Sequence, residues 1–168
     1  MVIMSQIHLK NLEVLRTENA HKKIVFCSGS FDLVHAGHVL FFEDCKKFGD
    51  ILVVGIGGDA VIKRLKGSQR PIMNEHVRLK TVTSLKPVDY CVLDTHEHPL
   101  HPFEFVEAVM RTLRPDVYVV NHDAFDMPSR KKLTQDFGVK LEILKRWCPP
   151  EFENISTTRL VEKIKNSS

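Results

Sequence analysis

Gly29-Ser30-Phe31-Asp32-Leu33-Val34-His35-Ala36-Gly37-His38 follows an apolar run, Ile24-Val25-Phe26-Cys27, and precedes an amphipathic segment from Val39 to Phe48. That order reads as strand, glycine turn and helix. Two histidines then sit at the mouth of the helix, with only small residues between them. A helix N-terminus presents unpaired backbone N–H groups and a partial positive charge, so it is a natural seat for phosphate. Packing does not call for two imidazoles there. A phosphate passing through a charged transition state does, because fixed donors stabilise developing oxyanion charge.

Working outward, apolar runs alternate with amphipathic stretches along the whole chain. The expected strands are Ile24–Cys27, Ile51–Ile56, Tyr90–Leu93, Val117–Val120 and Lys140–Leu144. Val, Ile and Leu dominate most of them, as in parallel strands buried on both faces. The expected helices are Ser5–Glu18, Ala36–Phe48, Asp59–Leu65, Glu75–Leu85, Pro102–Leu113, Ser129–Asp136 and Ser156–Lys165. Strands alternating with helices imply βαβ units. The expected fold class is α/β, a Rossmann-like three-layer sandwich with a five-stranded parallel sheet. Residues 1–168 are expected to form one domain, with residues 1–22 as a leading helix and linker. Ligands on such sheets bind at the carboxyl ends of strands. The first strand delivers His35 and His38 to that edge, and the second delivers Asp59.

The chain has 168 residues, enough for one α/β core and hardly two. Its 43% hydrophobic and 27% charged residues are those of an ordinary globular protein. A net charge of +3 argues for neither nucleic acid nor membrane as a partner. The four cysteines, Cys27, Cys45, Cys91 and Cys148, show no metal-binding spacing and suit a reducing compartment. Residues 1–23 lack a signal-peptide core, and no apolar run approaches the length of a membrane span. A cytoplasmic homo-oligomer is the expectation.

Other motifs compete for attention. Gly55-Ile56-Gly57-Gly58-Asp59-Ala60 follows a strand and fits a dinucleotide fingerprint, but Glu75, at about the right distance, lies in a turn rather than at a strand end. His-x-x-His with Asp32 nearby suits zinc, yet the intervening Gly37 better suits close phosphate approach, and no metal ligand is assigned. Lys63, Arg64, Lys66 and Arg70 read alone as a solvated helix face, and beside the histidine turn as a phosphate clamp. His96, His98 and His101 fall in a proline-broken run and read as a loop. Ser156 reads as the cap of a last helix. Trp147 is expected to cover core or an interface.

The histidine stretch resembles the HxGH signature of the cytidylyltransferase-like nucleotidyltransferases. Ile155-Ser156-Thr157-Thr158-Arg159 is similar to the family's late ISTT element. Leu65-Lys66-Gly67, Arg70-Pro71-Ile72 and Arg78 with Val88-Asp89 resemble the nucleotidyltransferase domain of ADP-heptose synthases, over roughly residues 5 to 165. The resemblance implies that His35, His38 and Lys66 are catalytic. It implies nucleotide binding by Gly29, Ser30, Phe31, Gly37, Arg78, Asn121, Asp123, Ser156, Thr157 and Thr158 together with the two histidines. Asp32, Asp59 and Lys66 would bind the second substrate. The implied reaction joins an NTP to a phosphorylated small molecule and releases pyrophosphate, with Mg2+ carried on the nucleotide phosphates. ATP and a sugar 1-phosphate such as heptose 1-phosphate are favoured. CTP with glycerol 3-phosphate or another polyol or amino-alcohol phosphate is the alternative, and a non-catalytic nucleotide-binding regulatory module is a third. One departure stands out: many relatives carry an arginine and a glycine before the ISTT element, where this chain has Glu151 and Asn154.

Overall fold

The computed structural model describes residues 6–96, 100–152 and 156–167. Five strands, β1 (Ile24–Gly29), β2 (Ile51–Ile56), β3 (Tyr90–Leu93), β4 (Val117–Asn121) and β5 (Lys140–Leu144), form one sheet in the order β3-β2-β1-β4-β5. Every pairing is parallel. Seven α-helices are described: α1 (Leu12–Glu18), α2 (Ala36–Lys46), α3 (Asp59–Lys66), α4 (Glu75–Thr83), α5 (Glu104–Leu113), α6 (Met127–Asp136) and α7 (Thr157–Lys165). The α/β Rossmann-like sandwich expected from the alternation is the observed architecture.

Strand composition explains the layering. Ile24 through Cys27 and Ile51 through Val54 are buried on both faces of the sheet. Alternate residues of β1 therefore enter different cores. Phe26 joins Leu12, Phe105, Val109, Met110 and Tyr118 under α1 and α5. Val25 and Cys27 join Phe42, Cys45, Leu79 and Val82 under α2 and α4. The chain runs outward from β1 to β3, then crosses back to place β4 on the other side of β1. That reversal opens a crevice at the carboxyl ends of β1 and β4, the usual ligand position in open α/β sheets.

The largest departure lies at the start. In place of one helix from Ser5, the described residues show a Gln6–Cys91 bridge, a 3-10 turn at Leu9–Asn11 and the short α1. The backbone N–H of Ile7 donates to the carbonyl of Cys91 at 2.8 Å, so this segment covers the open edge of β3 instead of coiling. Ser5 lies outside the described residues. Other ends shift by one to two residues. Helix α6 begins at Met127 because the Asp126 carboxylate accepts from Ser129 N and Pro128 suits the first turn. Pro102 and Phe103 precede α5, and α2 stops at Lys46.

The dinucleotide-like glycines have local tasks. A Cβ at Gly55 would sit 2.9 Å from the Phe105 ring and 3.0 Å from Phe26. One at Gly58 would sit 2.5 Å from the Asp94 carbonyl oxygen. The N-terminus of α3 is already occupied: Asp59 N donates to the Glu75 carboxylate at 2.8 Å. Close packing and a protein carboxylate thus account for the motif, and a cofactor pyrophosphate has no seat there. Among the described residues no helix is long and apolar enough to cross a membrane.

Candidate functional site

Strand β1 ends at Gly29, and the chain turns sharply through Phe31 and Leu33, both in the left-handed region at φ 48° and 49°. Left-handed backbone at two bulky residues is costly and persists only where surrounding structure enforces it. The turn delivers His35 as the N-cap of α2. His35 Nδ1 accepts from Gly37 N at 3.1 Å, and His38 Nδ1 accepts from His35 N at 3.3 Å. Each imidazole therefore uses Nδ1 as an acceptor and carries its proton on Nε2. The two rings lie 4.0 Å apart, and Phe31 packs edge-on against His38.

Electrostatics keep both rings neutral. Burial, then His35, Arg146 and Lys66, push His38 down to about 3, against a smaller opposing pull from Asp32. Burial and Arg146 also lower His35. At neutral pH two uncharged imidazoles offering Nε2–H donors at a helix N-terminus can stabilise oxyanion charge. A stability prediction follows by linkage. The unfolded chain takes up a proton at His38 near pH 6.5, whereas the folded chain resists until about pH 3. The unfolded state thus binds more protons in that window, so stability falls as pH drops below about 6.5, by at most about 1.4 kcal/mol per pH unit. Urea unfolding at pH 7 and pH 5 checks this, with wild type losing more stability than His38→Asn.

The histidines open into a cleft of about 710 Å³ over the carboxyl ends of β1 and β4. Gly29, Ser30, Phe31, Asp32, Gly37, Lys66, Asn121, Asp123, Ser156, Thr157 and Thr158 line it with them. Thr157 Oγ1 donates to the Asp32 carbonyl at 2.7 Å, which docks α7 onto the histidine turn. Ser156 caps α7 by accepting from Arg159 N. Ile155 and Asn154 lie outside the described residues. Lys66 keeps much of its surface open, yet the cleft walls desolvate its ammonium and Arg70 repels it, so its pKa is lowered. Among the described residues, no hydrogen bond or ion pair engages Lys66 Nζ, which leaves it available to an anion.

Two expected ligand contacts are corrected, and a third is found already engaged by protein. Arg78 does not face the cleft: it is 1% exposed, and its guanidinium donates to the carbonyls of Met73, Ser30 and Gly57 and to the Asp59 carboxylate. It ties α4 to the β1 and β2 turns. Asp59 is spent on that ion pair at 2.7 Å and lies outside the cleft lining. The Asp32 carboxylate lines the cleft and accepts from Arg70, Ile72 N and Met73 N, so it anchors the Arg70–Met73 segment there. Trp147 covers no core; it is 64% exposed and lines the cleft mouth.

The histidine-rich loop forms no joint cluster among the described residues. His96 pairs with Asp94 at 2.6 Å and His101 with Glu107 at 3.5 Å, while His98 lies outside them. No group of three metal-ligating side chains occurs among the described residues. Sequence reasoning missed Asp94, Phe103, Phe125 and Arg130, all cleft-lining; Arg146 lines the cleft as well, its Nε held by Asp123 at 2.9 Å. Arg130 precedes Lys131 and Lys132 and looks like part of a solvated face, so no local signal marked it.

Residues 26–163 match the cytidylyltransferase-like family. The bifunctional protein HldE of Citrifermentans bemidjiense is 35% identical over 165 residues, 95% of this chain and 31% of that protein. HldE of Helicobacter pylori strain G27 is 35% identical over 171 residues, 99% of this chain and 34% of that protein. The chain thus spans about a third of the length of these relatives. Among solved structures, a lipopolysaccharide core biosynthesis protein from Thermoplasma volcanium superposes with a TM-score of 0.59 at 27% identity, covering 76% of this chain and 98% of that one. A pantoate-beta-alanine ligase from Francisella tularensis has a TM-score of 0.63 at 16% identity over 96% of this chain and 77% of its own, which shows the shared fold.

Proposed function

The chain belongs to the cytidylyltransferase-like family of nucleotidyltransferases, and from that premise we propose that it joins ATP to a sugar 1-phosphate and releases pyrophosphate. The observation that carries the reading is the reciprocally capped pair of neutral imidazoles on α2, opening with Lys66 into one cleft. The sugar acceptor is supported by the Lys66-Gly67 and Arg70-Pro71 segments and by the similarity to a protein named for lipopolysaccharide core biosynthesis.

An oxygen of the acceptor phosphate attacks the α-phosphorus of the nucleotide. A new P–O bond forms, the bond to the bridging oxygen of the β-phosphate breaks, and pyrophosphate leaves with the electron pair. Negative charge grows on the non-bridging α-oxygens and the departing oxygen. The Nε2–H groups of His35 and His38 donate to those oxygens, and Lys66 neutralises the phosphates. The N-terminus of α7, with the hydroxyls of Ser156 and Thr158, supplies further donors for the β- and γ-phosphates, while the Thr157 hydroxyl is engaged in docking α7 onto the histidine turn. The Asp32 carboxylate accepts from three protein donors, and no group of three metal-ligating side chains occurs among the described residues, so these residues do not fit a resident Mg2+ site. Mg2+ would arrive with the triphosphate, held by phosphate oxygens and water.

Pyrophosphate release measured over the four NTPs with a panel of aldose 1-phosphates, glycerol 3-phosphate and phosphocholine tests the proposal. ATP with an aldose 1-phosphate is the expected pair; CTP turnover with a polyol or amino-alcohol phosphate would overturn it. Lys66→Ala should raise the KM for the NTP and weaken triphosphate binding more than monophosphate binding. Equal loss for ATP and AMP would remove Lys66 from the outer phosphates.

A further inference from the structure

The cleft extends past the histidines to the α5–α6 side of the sheet, where Ser28, Asp94, Phe103, Phe125 and Arg130 line it. We propose that this compartment seats the body of the acceptor, and that Arg130 and Asp94 select a polyhydroxylated phosphate over an amino-alcohol phosphate. The proposal rests on the nucleotidyl-transfer reading above and specifies its second substrate.

Arg130 is held in place rather than solvated. Its Nε donates to the Phe125 carbonyl at 2.8 Å, and its NH1 group donates to the Tyr118 hydroxyl. That hydroxyl also pairs with Ser28 Oγ at 2.9 Å, and Tyr118 is fully buried. The guanidinium lies 5.0 Å from the centroid of the Phe103 ring. Its NH2 group has no partner among the described residues. A fork locked on one side and open on the other is a preorganised donor.

Asp94, at the end of β3, is the matching acceptor. It is 3% exposed. One oxygen, Oδ1, takes both the backbone N–H of His96 at 3.0 Å and its ring Nδ1 at 2.6 Å. The other, Oδ2, has no partner among the described residues. That oxygen opens to the cleft rather than being sealed in protein, so it can accept from a bound hydroxyl. Phe103 and Phe125 stack at 6.3 Å and add an apolar wall, Phe125 being 58% exposed.

A sugar hydroxyl both donates and accepts, and a sugar ring also presents a C–H face. Carboxylate, guanidinium and aromatic wall meet all three needs. A choline or ethanolamine headgroup has no lone pair to accept from Arg130, so it would leave the open side of the guanidinium unmet even if its charge found Asp94. An apolar acceptor would strand both charged groups, which is the strongest basis for rejecting it.

Calorimetric titration of the whole chain with mannose 1-phosphate, glucose 1-phosphate, phosphocholine and ATP–Mg2+ tests this. Wild type should bind at least one aldose 1-phosphate about tenfold tighter than phosphocholine. Arg130→Ala and Asp94→Asn should each weaken the aldose phosphate about 10- to 100-fold while ATP affinity stays within about twofold. Phe125→Ala, exposed and clear of the Tyr118 network, should weaken the same ligand and keeps the test alive if Arg130→Ala does not fold. Phosphocholine binding as well as the sugar phosphates, or ATP being the ligand lost on replacing Arg130, overturns the assignment. ATP binding without any aldose phosphate binding also overturns it and leaves nucleotidyl transfer standing. Absence of NTP binding would instead overturn the proposed function itself.

Discussion

His38→Asn is expected to lower kcat by about 10²- to 10³-fold, with the KM of either substrate changing only a few-fold. The asparagine carbonyl can replace Nδ1 as acceptor for His35 N, so the start of α2 stays capped. What disappears is the Nε2–H donor reaching into the cleft. His38→Ala removes both and should add a stability cost of about 1 kcal/mol to the same kinetic loss. The asparagine variant thus separates catalysis from capping. Because burial holds the wild-type His38 ring neutral down to about pH 3, the activity of the wild type should show no limb from His38 between about pH 5 and 8. A near wild-type kcat for His38→Asn, or an acid limb near pH 6.5 that vanishes with the substitution, would overturn the donor role.

Arg78→Ala is expected to destabilise the fold by about 3–5 kcal/mol, because it leaves the Asp59 carboxylate uncompensated and three carbonyls without their donor. That is a large part of the total stability of a domain of this size. Arg78→Lys keeps a charge near Asp59 but cannot reproduce a fork serving Met73, Ser30 and Gly57 together, so most of the loss should remain. Urea midpoints measure both. The carbonyls of Ser30 and Gly57 belong to the turns after β1 and β2, so the arginine braces the base of the histidine turn from below. A variant with an unchanged midpoint and a raised NTP KM would return Arg78 to the phosphates.

The legible parts share one property: their signal is local. Glycine, two histidines and small spacers between an apolar run and an amphipathic one describe a strand–turn–helix junction with phosphate chemistry at its tip. Ser156 before Thr157 and Thr158 announces a capped helix in the same way. Arg78 and Asp59 were misread because a guanidinium bound to three carbonyls from distant turns has the same one-letter spelling as one facing solvent. Arg130 and Asp94 were missed for the converse reason. Neither sits in a motif, and each becomes a candidate ligand only when α6, β3 and α5 meet over one cleft.

The sequence by itself determined the period of the elements from Ile24 onward, the parallel sheet and the position of His35 and His38 at a helix N-terminus, since these follow from hydrophobic spacing and backbone chemistry within a few residues. Tertiary structure alone decided which charges face the cleft. Whether an arginine or a carboxylate meets protein or substrate depends on groups tens of residues away, as when Asp32 is held by Ile72 N, Met73 N and Arg70, and Asp59 by Arg78. Burial then sets the chemistry, because the same imidazole that titrates near neutrality in the open chain stays an uncharged donor once α2, Phe31 and the neighbouring cations enclose it.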